Sequence, residues 1–407
     1  MTIGLFILYT LSLFPALCKI SIYGANINLF GMTAIAFLPF LGIRFLAEKS
    51  LITKLKHKKI ITFLIIWLLI DFISVYRAIS FKSWIKYNYF FIIGLALSIL
   101  VAFCFTEKKH YYYFLCITNI SFLLHNLIGW IEILTGKYFF LNSQEIEESY
   151  QLAHYPVSMF GNTNDMAIFL VIAIFLVLIL NNIIKTKIIK TMNAFLIASS
   201  TILIYASHSR ACWLALALGM LIYLFLNLRY TRKTYYVLFF FGFSVSIVVL
   251  FVVCYVLNSY QVTELNSIGM RINLIKNGFT LLLNSYGLGV GNGNIEVLML
   301  ETTMLPTAGM SNLHNWWIEV LVAFGVFIFF VYLYAYVKCL IYEYKRMMIS
   351  DDKRMRRIHG LIFTLLIVFA IACISSSSIN SYGWIWMLYG CIISIYYYGN
   401  NKCRRSE

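Results

Sequence analysis

Three short stretches of this 407-residue chain carry the side chains best suited to chemistry. In the first, Ser207-His208-Ser209-Arg210-Ala211-Cys212-Trp213, two apolar runs meet in a hairpin of almost no length, and Arg210 is its only permanent charge. A guanidinium there suits phosphate. Its fork of N–H donors matches a pair of phosphate oxygens, and its charge cannot be titrated away. The second is Gly269-Met270-Arg271-Ile272-Asn273, followed by Asn284-Ser285-Tyr286-Gly287-Leu288-Gly289-Val290-Gly291-Asn292-Gly293-Asn294. The alternating glycines match neither the dinucleotide fingerprint nor a P-loop. They imply a tight turn with close backbone approach, either purely structural or offering N–H groups to an anion. The third is Asn312-Leu313-His314-Asn315-Trp316-Trp317-Ile318-Glu319. His314 opens an apolar run there, and a helix N-terminus disfavours imidazolium, which leaves a neutral ring able to accept a proton. Glu319, five residues on, is off the face of His314 and a poor direct partner. Simpler roles compete: Arg210 as an anchor in lipid headgroups, His314 as a member of an interfacial belt with Trp316 and Trp317.

The elements that must position these residues are membrane spans. The chain is 61% hydrophobic and 12% charged, with a mean hydropathy of +0.83. A soluble domain is nearer half apolar and a quarter charged, and one soluble core could not hide this much apolar surface. The apolar runs are long and continuous instead of alternating with period two, so helices are expected over a barrel. The sequence predicts an all-α polytopic membrane protein with about twelve transmembrane helices: 2–19, 27–44, 61–77, 87–105, 111–133, 162–181, 192–208, 211–228, 235–258, 314–338, 358–375 and 384–398. The first is read as a retained span and not a signal peptide, because it has no basic leader and no small-residue cleavage site. No repeat and no Pro-rich linker divides the chain, so 1–407 is expected to form a single integral membrane domain.

The net charge of +16 comes from Lys and Arg in short runs between apolar segments, the pattern of cytoplasmic loops and not of a nucleic-acid surface. With the N-terminus inside, about 23 of the 32 basic residues fall in inner connections. An even number of spans then puts the C-terminus inside as well. Two outer loops are longer than topology requires. One runs over 135–161 and carries Glu145, Glu147 and Glu148. The other, 259–313, contains an amphipathic segment, 271–283, too short to span. In this topology Asp71, Glu132, Asp165, Arg210 and Glu319 lie in the outer halves or at the outer ends of their helices, and His154, His208 and His314 are also outer. Ionisable groups in a bilayer are functional suspects, although Asp71 and Glu132 could equally snorkel to headgroups. A one-sided cluster fits a site entered from the outer face better than an ion path through the full depth. Eight of the nine cysteines lie in apolar stretches and Cys403 in the basic tail, so neither a disulfide framework nor a metal-ligand spacing is expected.

Two arginines and a histidine beside lipid suit a lipid-linked pyrophosphate and a hydroxyl acceptor. The arginines would neutralise the leaving diphosphate, and the histidine would take the acceptor's proton. The order of the motifs resembles the O-antigen ligase and polymerase superfamily of bacterial envelope enzymes. Phe160-Gly161-Asn162-Thr163-Asn164 opens a span, Ser209-Arg210 follows, and Arg271 heads a segment ending in Gly287-Leu288-Gly289-Val290-Gly291. His314-Asn315 then opens a long span with Gly325 inside it. The likeness covers roughly 155–340. Ile275 stands where many members have Trp.

The resemblance implies a lipid-phosphate-dependent glycosyltransferase bundle and metal-independent transfer of a glycan from undecaprenyl diphosphate, with no cofactor. His314, Arg210 and Arg271 would be catalytic, and Asn164, Asp165, Asn315, Glu319, Gly289 and Gly291 would contact substrate. It implies the bacterial cytoplasmic membrane as location and an undecaprenyl-diphosphate-linked oligosaccharide as partner. A flippase and a chain-length regulator would be further partners; nucleic acid would not. Polymerisation of lipid-linked repeats is preferred over ligation of a finished glycan to an acceptor. A flippase is a third reading, weakened by the absence of internal repeats.

Overall fold

The computed structural model describes residues 1–22, 25–47, 58–141, 148–227, 267–301, 305–376 and 379–398. Among them are fourteen α-helices: α1 (Thr2–Ser12), α2 (Leu29–Leu46), α3 (Lys59–Ile73), α4 (Phe81–Cys104), α5 (Lys108–Thr135), α6 (Glu148–Leu152), α7 (Thr163–Ile183), α8 (Lys187–Ala206), α9 (Arg210–Asn227), α10 (Ser267–Asn284), α11 (Ile295–Glu301), α12 (Trp316–Ile349), α13 (Lys353–Ala372) and α14 (Gly383–Tyr398). Eleven of the expected spans coincide with a helix, and the segment 235–258 lies outside the described residues. Among the described residues, eight helices are long and apolar enough to cross a membrane, while α1 and α9 are shorter apolar helices. The chain is an all-α polytopic membrane protein.

The flanks show why it needs lipid. Phe37, Phe40, Ile43 and Leu46 on α2, Leu69 and Ile73 on α3, and Phe195 and Ile202 on α8 are exposed. Exposed apolar surface on this scale belongs against an apolar solvent. At the centre, α7 is buried on all sides from Met166 to Val177. A helix apolar all round is what a bundle axis requires.

Two expectations are corrected. The first span, expected over 2–19, stops at Ser12. Pro15 follows, and a proline disfavours helix in the residue before it and donates no hydrogen bond. The chain then forms a small antiparallel hairpin, β1 (Ile20–Ile22) with β2 (Ala25–Ile27), pairing Ile20 with Ile27. The tenth expected span, 314–338, is part of a 34-residue helix, α12, which is broken at Gly325 by φ 81° and ψ 175°.

That break is sealed by another part of the chain. With the helix interrupted, the carbonyls of Val322 and Ala323 lose their helical partners. The N–H of Val290 donates to Val322 (2.9 Å), that of Gly291 to Ala323 (2.9 Å), and the N–H of Val326 donates to Gly287 (2.9 Å). Loop 287–291 is thus stitched into the gap, satisfying backbone groups that the bilayer could not. Such an approach leaves no room for side chains. A Cβ at Gly289 would stand 2.4 Å from the Gly325 nitrogen, and one at Gly325 would stand 2.5 Å from the Leu288 carbonyl carbon.

Candidate active site at one end of the bundle

Helices α7, α9, α12 and α14 begin at the end of the bundle where α5, α8 and α13 finish. Contacts between their tips hold this end together. The N–H of Trp316 donates to the Cys373 carbonyl (3.2 Å), Ser209 and Ser375 pair through their hydroxyls (3.4 Å), and Ser376 and Tyr382 both donate to Asp165 (3.0 and 2.9 Å).

Arg210 is the first residue of α9 and is exposed. The hairpin before it is tight because His208 adopts a left-handed φ of 56° and the Trp213 indole N–H donates back to the Ile204 carbonyl (2.8 Å). Tyr155, from the first long loop, packs its ring 4.9 Å from His208. Arg271 is half-buried near the start of α10. Asn273 and Asn277, one turn apart on that helix, clamp the stretch leading to His314. Asn273 donates to the Pro306 carbonyl (2.7 Å), while Asn277 donates to the Leu305 carbonyl (2.9 Å) and accepts from its N–H (3.0 Å).

His314 itself is left-handed, with φ 50°, and its N–H donates to the Asn312 side-chain oxygen (2.8 Å). Asn315 caps α12, accepting from the N–H groups of Trp317 (3.1 Å) and Ile318 (3.4 Å). His154, His208 and His314 all have positive φ. A left-handed conformation is uncommon for a non-glycine residue, and such residues gather at functional sites.

Arg210, Arg271 and His314 are brought together. Burial, then the nearby charge of Arg210, lowers the Arg271 guanidinium below its usual range, with Tyr150 opposing. It stays cationic at neutral pH all the same. Burial, then the charge of Arg271, pushes the His314 imidazole down to about 4. The ring is therefore neutral at physiological pH, as its place before α12 led one to expect, but the main causes are burial and Arg271.

The other expected residues divide. Asn164 is half-buried in the first turn of α7, where its N–H donates to the capping Asn162 oxygen (2.8 Å). Asp165 is buried, and Ser376 and Tyr382 occupy one of its oxygens each, so it ties α7 to the 376–382 segment. Gly289 and Gly291 serve the close approach. The anion-binding alternative finds no free donor in the loop, because the N–H groups of Gly287, Leu288, Val290 and Gly291 go to carbonyls and that of Gly289 to the Ser285 hydroxyl. Glu319 turns away from His314 and accepts from the Asn380 amide (2.6 Å) in a neighbouring cavity. Glu132 accepts from the N–H groups of Val157 (2.8 Å) and Ser158 (2.7 Å) and anchors the first long loop instead of snorkelling. Glu145 and Glu147 lie outside the described residues.

Trp316 and Trp317 do not form a belt. Trp316 is buried, with its indole on the Tyr332 hydroxyl (3.0 Å), and the Trp317 indole donates to the Ala370 carbonyl (2.9 Å). The bundle offered these indoles internal acceptors, which outweighs the interface. Sequence reasoning missed Tyr87, Glu296 and Asn380, which gather around Glu319 from distant parts of the chain. Among the described residues, no group of three or more His, Cys, Asp or Glu could hold a metal ion.

The fold is that of a polytopic membrane protein, a lipid-compatible bundle with a broken helix and a guanidinium–imidazole cluster at one end. Residues 193–333, which include Arg210, Arg271, His314 and Gly325, match the family model described as O-Antigen ligase. The chain is also similar to the teichuronic acid biosynthesis protein TuaE of Bacillus subtilis (strain 168), with 28% identity over 368 residues, covering 87% of this chain and 74% of that protein. No solved structure matches. Both likenesses point to the O-antigen ligase and polymerase superfamily and support a membrane-bound enzyme of surface polysaccharide biosynthesis.

Proposed function

We propose that this enzyme polymerises lipid-linked oligosaccharide repeat units, using an undecaprenyl-diphosphate-linked glycan as donor, on the outer face of the bacterial cytoplasmic membrane. One observation carries the reading: Arg210 and Arg271 are close enough to feel each other's charge, and neither is in an ion pair among the described residues. Two like charges held together attract a polyanion, and guanidinium forks fit a diphosphate. The distribution of Lys and Arg in the connections supports putting this end outside.

In the reaction, the acceptor hydroxyl oxygen attacks the anomeric carbon of the donor glycan. The bond from that carbon to the phosphate oxygen breaks, and its electron pair leaves with the diphosphate, which Arg210 and Arg271 stabilise. The acceptor's proton passes to neutral His314. A ring titrating near 4 is a weak base at neutral pH. Bound diphosphate offsets the charge of Arg271 and raises the basicity of His314 when donor is in place.

The test is a gel of lipid-linked glycans from a deletion strain complemented with variants. His314→Ala and Arg210→Ala are expected to leave single repeats on the carrier, with the protein still inserted. Arg210→Lys is expected to be impaired as well, because it keeps charge but loses the fork. Wild-type chain lengths in these variants reject the assigned roles. Full-length chains stranded on the carrier in the deletion strain mean ligase, and repeats held on the inner face mean flippase.

A further inference from the structure

Five aromatic rings form an unbroken track across the end of the bundle that carries Arg210. Between ring centroids, Tyr150 lies 5.9 Å from Tyr155, Tyr155 4.9 Å from His208, His208 6.1 Å from Trp213 and Trp213 5.1 Å from Tyr205. Each step falls in the range of about 4.5–7 Å at which rings attract one another. Separate parts of the chain supply them: the first long loop, the end of α8, and the hairpin with the first turn of α9.

The track passes the cationic cluster. Arg210 stands between His208 and Trp213 in the chain, and Trp213 follows it by three residues on α9, which places both on one face of that helix. At the far end, Tyr150 is close enough to Arg271 to act on its charge. The rings are open to a ligand: Tyr205 is 68% exposed, His208 is exposed, and Tyr150, Tyr155 and Trp213 are half-buried.

The loop part of the track is held firmly. The Tyr138 hydroxyl lies between the carbonyls of Tyr150 (3.0 Å) and Tyr155 (2.9 Å), and the Tyr155 N–H donates to the Tyr150 carbonyl (3.0 Å). Glu132 fixes the N–H groups of Val157 and Ser158 just beyond. An interfacial belt explains this poorly, because belt residues ring the flanks of spans with their polar tips toward headgroups. Tyr150 and Tyr155 belong to a loop, and the Trp213 indole N–H is spent on the Ile204 carbonyl (2.8 Å).

The ligand chemistry follows from the rings. An aromatic face is electron-rich and suits the weakly positive C–H groups on the apolar face of a pyranose. The phenol and imidazole edges supply donors and acceptors for its hydroxyls. An isoprenoid tail has nothing to offer those edges. The donor also dictates the place: its first sugar is joined directly to the diphosphate, so a diphosphate on Arg210 brings that sugar to the rings on either side of Arg210.

We propose that this track is a glycan platform, which holds the sugar units next to the diphosphate by stacking them on Tyr150, Tyr155, His208, Trp213 and Tyr205. The idea rests on the transfer reaction proposed above, but stacking is read without turnover. The probe is the repeat-unit oligosaccharide released by mild acid from the lipid-linked glycan of the deletion strain. Full-length protein in vesicles is irradiated at its aromatic proton resonances, and NMR reads saturation transfer to the sugar's ring C–H protons. Transfer is expected in wild type and should fall at least fivefold in Tyr155→Leu and Tyr205→Leu, which keep apolar bulk but lose the flat face. Tyr155→Phe and Tyr205→Phe should recover at least half of it. In cells the Leu variants are expected to shorten the polymer at least twofold at equal amounts of inserted protein.

No transfer in wild type would overturn the platform, and that arm needs no variant to fold. Leu variants equal to the Phe variants would assign these residues to packing, and Phe variants as weak as Leu would assign the role to the hydroxyls; either result overturns stacking. Ring-dependent transfer together with wild-type polymer in His314→Ala would uphold the platform and sink the polymerase reading. Ring-independent binding with polymer lost in His314→Ala would do the reverse.

Discussion

Replacing Gly325 by alanine probes the joint on which the site is mounted. Gly325 sits at φ 81° and ψ 175°, a region almost closed to residues with a side chain and costing them about 1–3 kcal/mol. The added Cβ would lie 2.5 Å from the Leu288 carbonyl carbon and 2.6 Å from the carbonyl oxygens of Gly287 and Leu288. All three are backbone atoms, so no rotamer change relieves the overlap and loop 287–291 must withdraw. Withdrawal removes the bonds Val290–Val322, Gly291–Ala323 and Val326–Gly287, each worth about 0.5–1.5 kcal/mol net. Adding the backbone cost gives on the order of 3–7 kcal/mol against the docked loop. Gly289→Ala attacks the same contact from the other side, its Cβ falling 2.4 Å from the Gly325 nitrogen. Each variant, purified in detergent, is expected to melt earlier, to be cleaved by protease within 284–294, and to make little polymer. The double variant should cost much less than the sum, because either change alone breaks the shared contact. Wild-type melting and polymer length in both single variants, or strict additivity in the double, would refute the reasoning.

Two further outcomes follow from the same geometry. His314 titrates near 4 in the free protein; as pH falls through that value the ring gains a proton and can no longer accept one, so kcat/KM should drop about tenfold per pH unit below it and stay flat above. Because Arg271 is one of the two causes of the lowering, the residual activity of Arg271→Ala should show its acid limb at higher pH; an unshifted limb would exclude His314 as the titrating group. Asp165→Ala removes the acceptor of two buried hydrogen bonds, from Ser376 and Tyr382, and should destabilise by about 2–4 kcal/mol; unchanged thermal unfolding would show that these bonds do not hold the 376–382 segment.

The spans were legible because lipid demands long unbroken apolar runs, and that demand is local in sequence. Where a helix ends early, the signal was also local: Pro15 stops α1, although hydropathy alone continues to residue 19. The break in α12 was not legible. A glycine in an apolar run is ordinary, and only the docking of loop 287–291 makes Gly325 an interruption. The same division holds at the site. Arg210, Arg271 and His314 stood out because permanent charge and imidazole are costly beside lipid. Glu132 and Asp165 were equally conspicuous, yet their partners are backbone and hydroxyl groups that no spacing rule reveals. Tyr87, Glu296 and Asn380 are unremarkable residues until the fold gathers them.

The placement of these groups explains why one helix must be broken. At about 1.5 Å per residue, the 34 residues of α12 would run about 51 Å, well beyond the roughly 30 Å of a hydrocarbon core. The break at Gly325 divides it into a long rod and a short upper piece, Trp316–Phe324, whose axis is set independently. That piece is fixed at one end by the Asn315 cap and at the other by loop 287–291. It carries Glu319 on one side, toward Asn380, and follows directly from His314, whose ring feels the charge of Arg271. A continuous helix would bind these directions to the tilt of the whole rod. A short piece held at both ends sets Glu319 and His314 without regard to the tilt of the rod, so the proposed base keeps its place near the charge of Arg271 while the spans adjust to the bilayer.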